Sequence, residues 1–211
     1  MNALLINGSP RKNGCTFTAL SFVAEELNAN GIDTELFQIP AVPISGCIAC
    51  RSCMQLQNRC AIKDDVVNVI IEKMQAADAL VIGSPVYFAS PAGQLFTVLD
   101  RVFFAGGKDV FANKPGAVVC SARRGGTTAT LDAMMKYFCI SGMPTVPSTY
   151  WPMVHGSEAE DVLSDKEGIQ SMRALGANMA WLLKCIAAGR AAGIEDPKIP
   201  GGEKVWTNFI R

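Results

Sequence analysis

Gly8-Ser9-Pro10-Arg11-Lys12-Asn13-Gly14-Cys15-Thr16 follows the apolar run Ala3-Leu4-Leu5-Ile6 and precedes a long helical pattern. That order reads as a strand-to-helix turn built to hold an anion. Glycines at both ends let the backbone turn sharply, so N–H groups of the coming helix converge where its dipole favours negative charge. Arg11 and Lys12 add positive charge, and Ser9, Asn13 and Thr16 add hydrogen bonds. A Walker A loop does not fit, because five residues separate Gly8 from Gly14 and Cys15 stands where the lysine belongs. The fingerprint G-x-G-x-x-G is also missing after this strand. A plain turn that caps a helix is the simpler alternative, although a cap needs one Ser or Asn rather than a basic loop with several donors.

Outward from this turn, apolar strands and amphipathic helices alternate along the chain, the pattern of a parallel sheet covered on both faces. Strands are predicted at residues 3–7, 34–38, 79–84, 116–121 and 145–150. Helices are predicted at 16–30, 63–76, 92–104, 127–141 and 166–189. Right-handed crossovers make this a doubly wound α/β fold with a five-stranded sheet in the order 2-1-3-4-5. Ligands of such sheets bind beyond the carboxyl ends of the strands, where three loops are expected: residues 8–16, 84–93 and 121–126.

With 211 residues, one domain over residues 1–189 is expected, carrying a cysteine-rich insertion at 44–62 and an irregular tail at 190–211. Trp206 and Phe209 in that tail are expected to pack on the domain or on a neighbouring subunit. Basic and acidic residues balance at 19 each, which argues against a nucleic-acid partner. The stretch 174–189 is interrupted by Asn178 and Lys184, so no membrane span is expected. The short apolar start reads as a first strand rather than a signal peptide, which places the protein in the cytoplasm. Eight cysteines in a reducing compartment point to thiols or metal ligands before disulfides.

After the third predicted strand, Pro85-Val86-Tyr87-Phe88 sets two aromatics on a turn at the binding edge, a stacking surface for a flat conjugated ring. After the fourth, Ser121-Ala122-Arg123-Arg124-Gly125-Gly126 offers paired glycines for close backbone approach and arginines for carbonyls or a phosphate. Together the loops describe a ligand with a phosphate at one end and a planar ring at the other. The chain resembles the NADPH-dependent FMN reductase superfamily, a branch of the flavodoxin-like fold, over about residues 1 to 185. The resemblance is carried by Gly8-Ser9-Pro10-Arg11 with Asn13 and Thr16, by Ser84-Pro85-Val86-Tyr87-Phe88, and by Gln94 through Leu99-Asp100-Arg101.

The resemblance implies an FMN phosphate held by Ser9, Arg11, Asn13, Gly14, Cys15 and Thr16. It also implies a ring lying against Pro85, Val86, Tyr87 and Phe88, with Ser121, Arg123, Arg124, Gly125 and Gly126 closing over it. Gly14-Cys15 departs from the Ser-Asn or Ser-Asp of many relatives. The cofactor carries the chemistry in such proteins, so no side chain is expected as catalytic acid or base. His155 is then a surface or interface residue. A homodimer or homotetramer is implied as well.

Cys47, Cys50, Cys53 and Cys60 form a C-x2-C-x2-C-x6-C run between the second strand and second helix. Two-residue gaps let three thiolates converge around one face of a [4Fe-4S] cubane, with Cys60 closing the fourth corner. Zinc and free redox-active thiols remain open, since Ala61 stands where ferredoxins carry proline and thiolate sets also bind zinc. The same spacing resembles the iron-sulfur flavoprotein branch of the superfamily, in which a [4Fe-4S] cluster passes electrons to FMN. Cys120, Cys139 and Cys185 are expected to be small buried hydrophobes. The expected function is an FMN-dependent oxidoreductase delivering electrons from NAD(P)H to a small-molecule or protein acceptor. The alternative is an iron-sulfur electron carrier exchanging electrons with ferredoxin-like partners.

Overall fold

Ala79-Leu80-Val81-Ile82 explains why the strands read as continuous apolar runs. Leu80 and Ile82 enter one core with Leu4, Ile6, Val118 and Cys120, while Ala79 and Val81 enter a second with Ala3, Leu5, Ala117 and Val119. Alternate residues of a strand face opposite sides, so a sheet buried on both faces needs apolar residues throughout. The computed structural model describes residues 1–198, 205 and 207. Trp206 and Phe209, expected to pack, lie outside the described residues.

The elements in order are β1 (Asn2–Asn7), α1 (Cys15–Ala29), β2 (Asp33–Gln38), a 3-10 turn (Ser52–Met54), α2 (Val67–Ala76), β3 (Ala79–Tyr87) and β4 (Ser90–Pro91). Then come α3 (Gly93–Phe111), β5 (Gly116–Ala122), α4 (Thr127–Ser141), β6 (Met153–His155), α5 (Ala159–Val162) and α6 (Lys166–Ala191). Helices α2, α3 and α4 cover one face of the sheet and α1 with α6 the other. No helix of the described residues is long and apolar enough to cross a membrane.

Among the described residues the sheet is doubly wound but holds six strands rather than five, with parallel order β2-β1-β3-β5-β6 rather than 2-1-3-4-5. The extra strand, β4, pairs antiparallel with the end of β3 through Val86 with Pro91 and Tyr87 with Ser90. The last parallel strand is Met153–His155 and not residues 145–150. Thr145 makes only an isolated bridge to Gly116, and Val146 donates its N–H to the Gly116 carbonyl. Pro147 and Pro152 have no N–H to continue that ladder, so pairing resumes only at Met153.

Three helix boundaries differ from expectation by two residues or more. Asp65 accepts the N–H of Val67 and pairs with Arg101, which holds residues 63–66 off the helix and starts α2 at Val67. Helix α3 continues past residue 104 to Phe111 across a kink at Gly107, whose φ of 59° favours glycine. Helix α6 ends at Ala191, two residues into the expected tail. Cys120 is fully buried as expected, but Cys139 and Cys185 are exposed. In α4 the buried stripe is Leu131, Met134 and Phe138, and in α6 it ends on Met179, Ala180 and Leu183; the two cysteines fall outside those faces.

Candidate functional site

The loop after β1 takes its shape from two strand-end amides. Asn7 Oδ1 accepts the Ser9 N–H at 3.0 Å, while its Nδ2 donates to Gln38 Oε1 at 2.7 Å and to the Lys12 carbonyl at 3.3 Å. Gln38 Nε2 donates to the carbonyl of Ser9 at 2.8 Å. Gly8 is required by packing, since a Cβ there would stand 2.7 Å from Leu95 Cδ2 and 2.9 Å from the Gly83 carbonyl. Gly14 is the N-cap of α1 and no side chain caps that end, whereas α6 is capped by the Asp165 carboxylate. The first-turn N–H groups of α1 thus lack a capping side chain beside an open cleft.

That cleft has a volume of about 300 Å³, at the lower end for ligand sites. Ser9, Arg11, Gly14, Cys15 and Thr16 line one side, Pro85, Val86 and Tyr87 another, and Ser121 with Arg123 a third. Thr16 Oγ1 and Ser121 Oγ are 2.8 Å apart, which joins the first loop to the third. Asn13, Phe88, Arg124, Gly125 and Gly126 are not among the residues that line the cleft. Gly126 has φ +89°, and a Cβ there would meet Ala89 Cα at 2.8 Å and Val86 Cγ1 at 3.0 Å, so it lets the third loop close against the β3-β4 turn. Phe88 and Ala89 form that turn with φ of 52° and 56°, and Phe88 projects fully into solvent.

One wall of the cleft lies outside the three expected loops. Gly156, Ser157 and Glu158 line the cleft because β6 ends at His155 instead of at residue 150. Arg11 Nη1 donates to the Ser157 carbonyl at 3.2 Å and to Glu158 Oε1 at 3.3 Å, and Cys15 Sγ donates to the Glu158 carbonyl at 3.2 Å. Burial raises the Cys15 thiol, which the carboxylates of Asp161 and Glu158 reinforce. The readable signal was Glu158-x-x-Asp161, a reciprocal capping box that opens α5. Asp161 is held below the usual carboxylate range by the N–H groups of Glu158 and Ser157. His155 is half-exposed at the end of β6, where its N–H donates to Asp165 Oδ2 at 2.7 Å.

A larger groove of about 520 Å³ lies at the opposite edge, at the starts of β1 and β2, but its cation Lys73 is already paired with Glu35 at 2.6 Å. At the carboxyl edge the Arg11–Glu158 pair is solvent-exposed, and the first-turn N–H groups of α1 meet no capping side chain. Donors at one end and the apolar Pro85-Val86-Tyr87 surface at the other fit a ligand with a phosphate and a flat ring.

Cys47, Cys50, Cys53 and Cys60 line a separate pocket with Arg101, Ile62 and Phe104. Ala49 and Arg51 on either side of Cys50 have φ of 52° and 58°, a left-handed backbone that costs about 1–2 kcal/mol per residue and is concentrated here in the cysteine loop. Burial pushes the Cys53 thiol up, and the neighbouring Cys60, Cys50 and Cys47 push it further. The backbone N–H and hydroxyl of Ser52 lower the Cys50 thiol. Among the described residues no three His, Cys, Asp or Glu are gathered tightly enough for one metal ion. A polynuclear cluster sets its thiolates wider apart than a single ion does, and four cysteines around one pocket with a cation are a donor set of that kind.

The family model described as NADPH-dependent FMN reductase matches residues 1–158. An iron-sulfur flavoprotein of Methanocaldococcus jannaschii is 33% identical over 198 residues, covering 88% of this chain and 99% of that protein. The crystal structure of RosB with bound 8-demethyl-8-formylriboflavin-5'-phosphate superposes with a TM-score of 0.70 at 16% identity, over 100% of this chain and 92% of that one. An archaeal flavodoxin superposes with a TM-score of 0.58 at 13% identity, over 87% and 99%. These likenesses establish a flavodoxin-like fold.

Proposed function

The chain belongs to the NADPH-dependent FMN reductase family, in its iron-sulfur flavoprotein branch, and we propose that it is an FMN-dependent oxidoreductase that takes electrons from NAD(P)H and delivers them to an acceptor. One observation carries this reading: three carboxyl-edge loops converge on a single cleft beside a helix start that no side chain caps. FMN, when bound, supplies the capacity to accept a hydride and release electrons. Ser9, Thr16, Arg11 and the first-turn N–H groups of α1 hold the phosphate, and Pro85, Val86 and Tyr87 supply the surface for the ring. Gly126 lets the third loop pack against the β3-β4 turn that carries Val86, which fixes the ring surface beside Ser121 and Arg123.

The second reading, an electron carrier with a [4Fe-4S] cluster on Cys47, Cys50, Cys53 and Cys60, is favoured by the shared pocket of those thiols and by the iron-sulfur flavoprotein that is 33% identical. In that case a ferredoxin-like protein is donor or acceptor. Exposed Trp151, Trp181 and Ile140 support a homodimer or homotetramer. A cytoplasmic location, with no nucleic-acid or membrane partner, belongs to the same reading.

Anaerobic purification followed by an absorption spectrum, an iron and sulfide determination and NAD(P)H addition separates the two. Flavin bands bleached rapidly by NAD(P)H without iron support the reductase. Flavin with iron and labile sulfide, and slow bleaching by NAD(P)H, support the carrier. A colourless protein that takes up neither group overturns both.

A further inference from the structure

The guanidinium of Arg101 is 1% exposed and takes no part in the cleft. It stands on α3 seven residues after Gln94. Seven residues are two helical turns, so both side chains leave the same face, about 10 Å apart along the axis. Both reach the cysteine-bearing loop between β2 and α2. Gln94 Nε2 donates to the carbonyls of Pro40 and Val42 at 2.6 and 2.8 Å. Arg101 donates to the carbonyls of Ser45 at 2.9 Å and Ile62 at 3.1 Å and pairs with the Asp65 carboxylate. Helix α3 therefore fastens the loop on both sides of the cysteines.

The remaining Arg101 nitrogen, Nε, points at Cys60 Sγ across 3.4 Å. Cys60 is fixed through its backbone as well: its N–H donates to Asn68 Oδ1 at 2.8 Å, and its carbonyl accepts from Asn68 Nδ2 at 3.0 Å. Cys47 and Cys50 are exposed, while Cys60 is set from two sides by buried polar groups.

We infer that Arg101 is a positioning residue for the fourth thiolate of the cluster site, delivering one N–H to Cys60 Sγ from a guanidinium whose charge Asp65 shares. The inference rests on the iron-sulfur reading of the four cysteines. A reduced cluster carries one more negative charge than an oxidised one, so a cation bonded to a ligand sulfur favours the reduced state and raises the potential. The guanidinium is buried and Cys60 is partly buried, so water screens the interaction less than it would at the surface. A role confined to tying the loop would be served by the carbonyl and Asp65 contacts and would place no N–H on the sulfur.

The test uses the whole chain loaded anaerobically with iron and sulfide, as wild type, Arg101→Lys and Arg101→Gln, in redox titrations followed by EPR. Arg101→Gln that retains its iron is expected to titrate at a lower potential than wild type, and Arg101→Lys, which keeps the charge, between the two. Loss of a buried ion pair can unfold the loop, so wild-type protein labelled with 15N-arginine supplies a second measurement. Pulsed EPR of its reduced cluster is expected to show a 15N hyperfine coupling that equally labelled Arg101→Lys lacks, which separates Arg101 from the labelled Arg51 and Arg59 beside the cysteines. A loaded cluster without that coupling overturns the inference, as does Arg101→Gln with full iron and the wild-type potential. A wild-type chain that binds no iron and sulfide instead removes the iron-sulfur reading itself, and the inference falls with it.

Discussion

Arg11 lies 3.3 Å from Glu158 with both side chains about two-thirds exposed, so their ion pair contributes at most about 1 kcal/mol. A phosphate arriving at the loop exchanges that weak contact for a charge-assisted one, worth about 1.5–3 kcal/mol. Arg11→Ala is therefore expected to weaken FMN binding by about tenfold or more, measured by quenching of flavin fluorescence; unchanged affinity would remove Arg11 from the site. Asn13 does not line the cleft, and Asn13→Ala is expected to cost less than Arg11→Ala in the same titration. Cys120 is different in kind. Burial pushes its thiol up to about 12, so its folded pKa lies above the unfolded one. The folded protein keeps the proton at every pH below about 9, and stability falls as pH rises through the window from about 9 to 12. At pH 8 only roughly one Cys120 in ten thousand is thiolate, so in a timed alkylation read by mass spectrometry exposed Cys139 and Cys185 are modified first. Local sequence showed the donors of the first loop, but it could not show that Arg101 and Asn68 grip Cys60, because those partners stand 41 and 8 residues away.

The β3-β4 turn packs against the third loop of the cleft. Phe88 and Ala89 both adopt positive φ at its centre, where a two-residue hairpin ordinarily carries Asn-Gly. Such a conformation costs a non-glycine residue about 1–2 kcal/mol, and glycine gives back about 0.5–1 kcal/mol in unfolded-chain entropy. Ala89→Gly is thus expected to stabilise the protein by about 0.5–1 kcal/mol in denaturant unfolding. Gly126→Ala is expected to destabilise it by about 2 kcal/mol or more, since φ is +89° and Ala89 Cα would lie 2.8 Å from the new Cβ. Equal midpoints for the two variants would show that the turn is neither strained nor tightly packed. The strands at 3–7, 79–84 and 116–121 were readable because each is apolar on both faces. The last strand was not, because Thr145-Val146 has strand composition while its prolines stop the ladder, and Met153-Val154-His155 gains its pairing from β5 rather than from its own pattern.

The doubly wound order follows from the alternation of strands and helices and from right-handed crossovers, and it brings three loops distant in sequence to one edge. That placement is why the three loops could be read together, although Phe88 and the glycine pair do not line the cleft. Solvent exposure was harder to read, since an apolar helix position does not say whether it faces the core: Trp181 is 67% exposed on α6 and Ile140 77% on α4. Those faces are expected to be covered by a second copy, so light scattering should give a mass of two or four chains; a monomer at micromolar concentration would contradict this. The flavin site itself is tested most directly by titrating flavin-stripped protein with FMN and with riboflavin. Saturation at about one FMN per chain is expected, with riboflavin, which lacks the phosphate, bound at least tenfold more weakly. Equal affinity for the two, or no saturable FMN binding, would contradict the assignment of Gly8 to Thr16 as a phosphate loop.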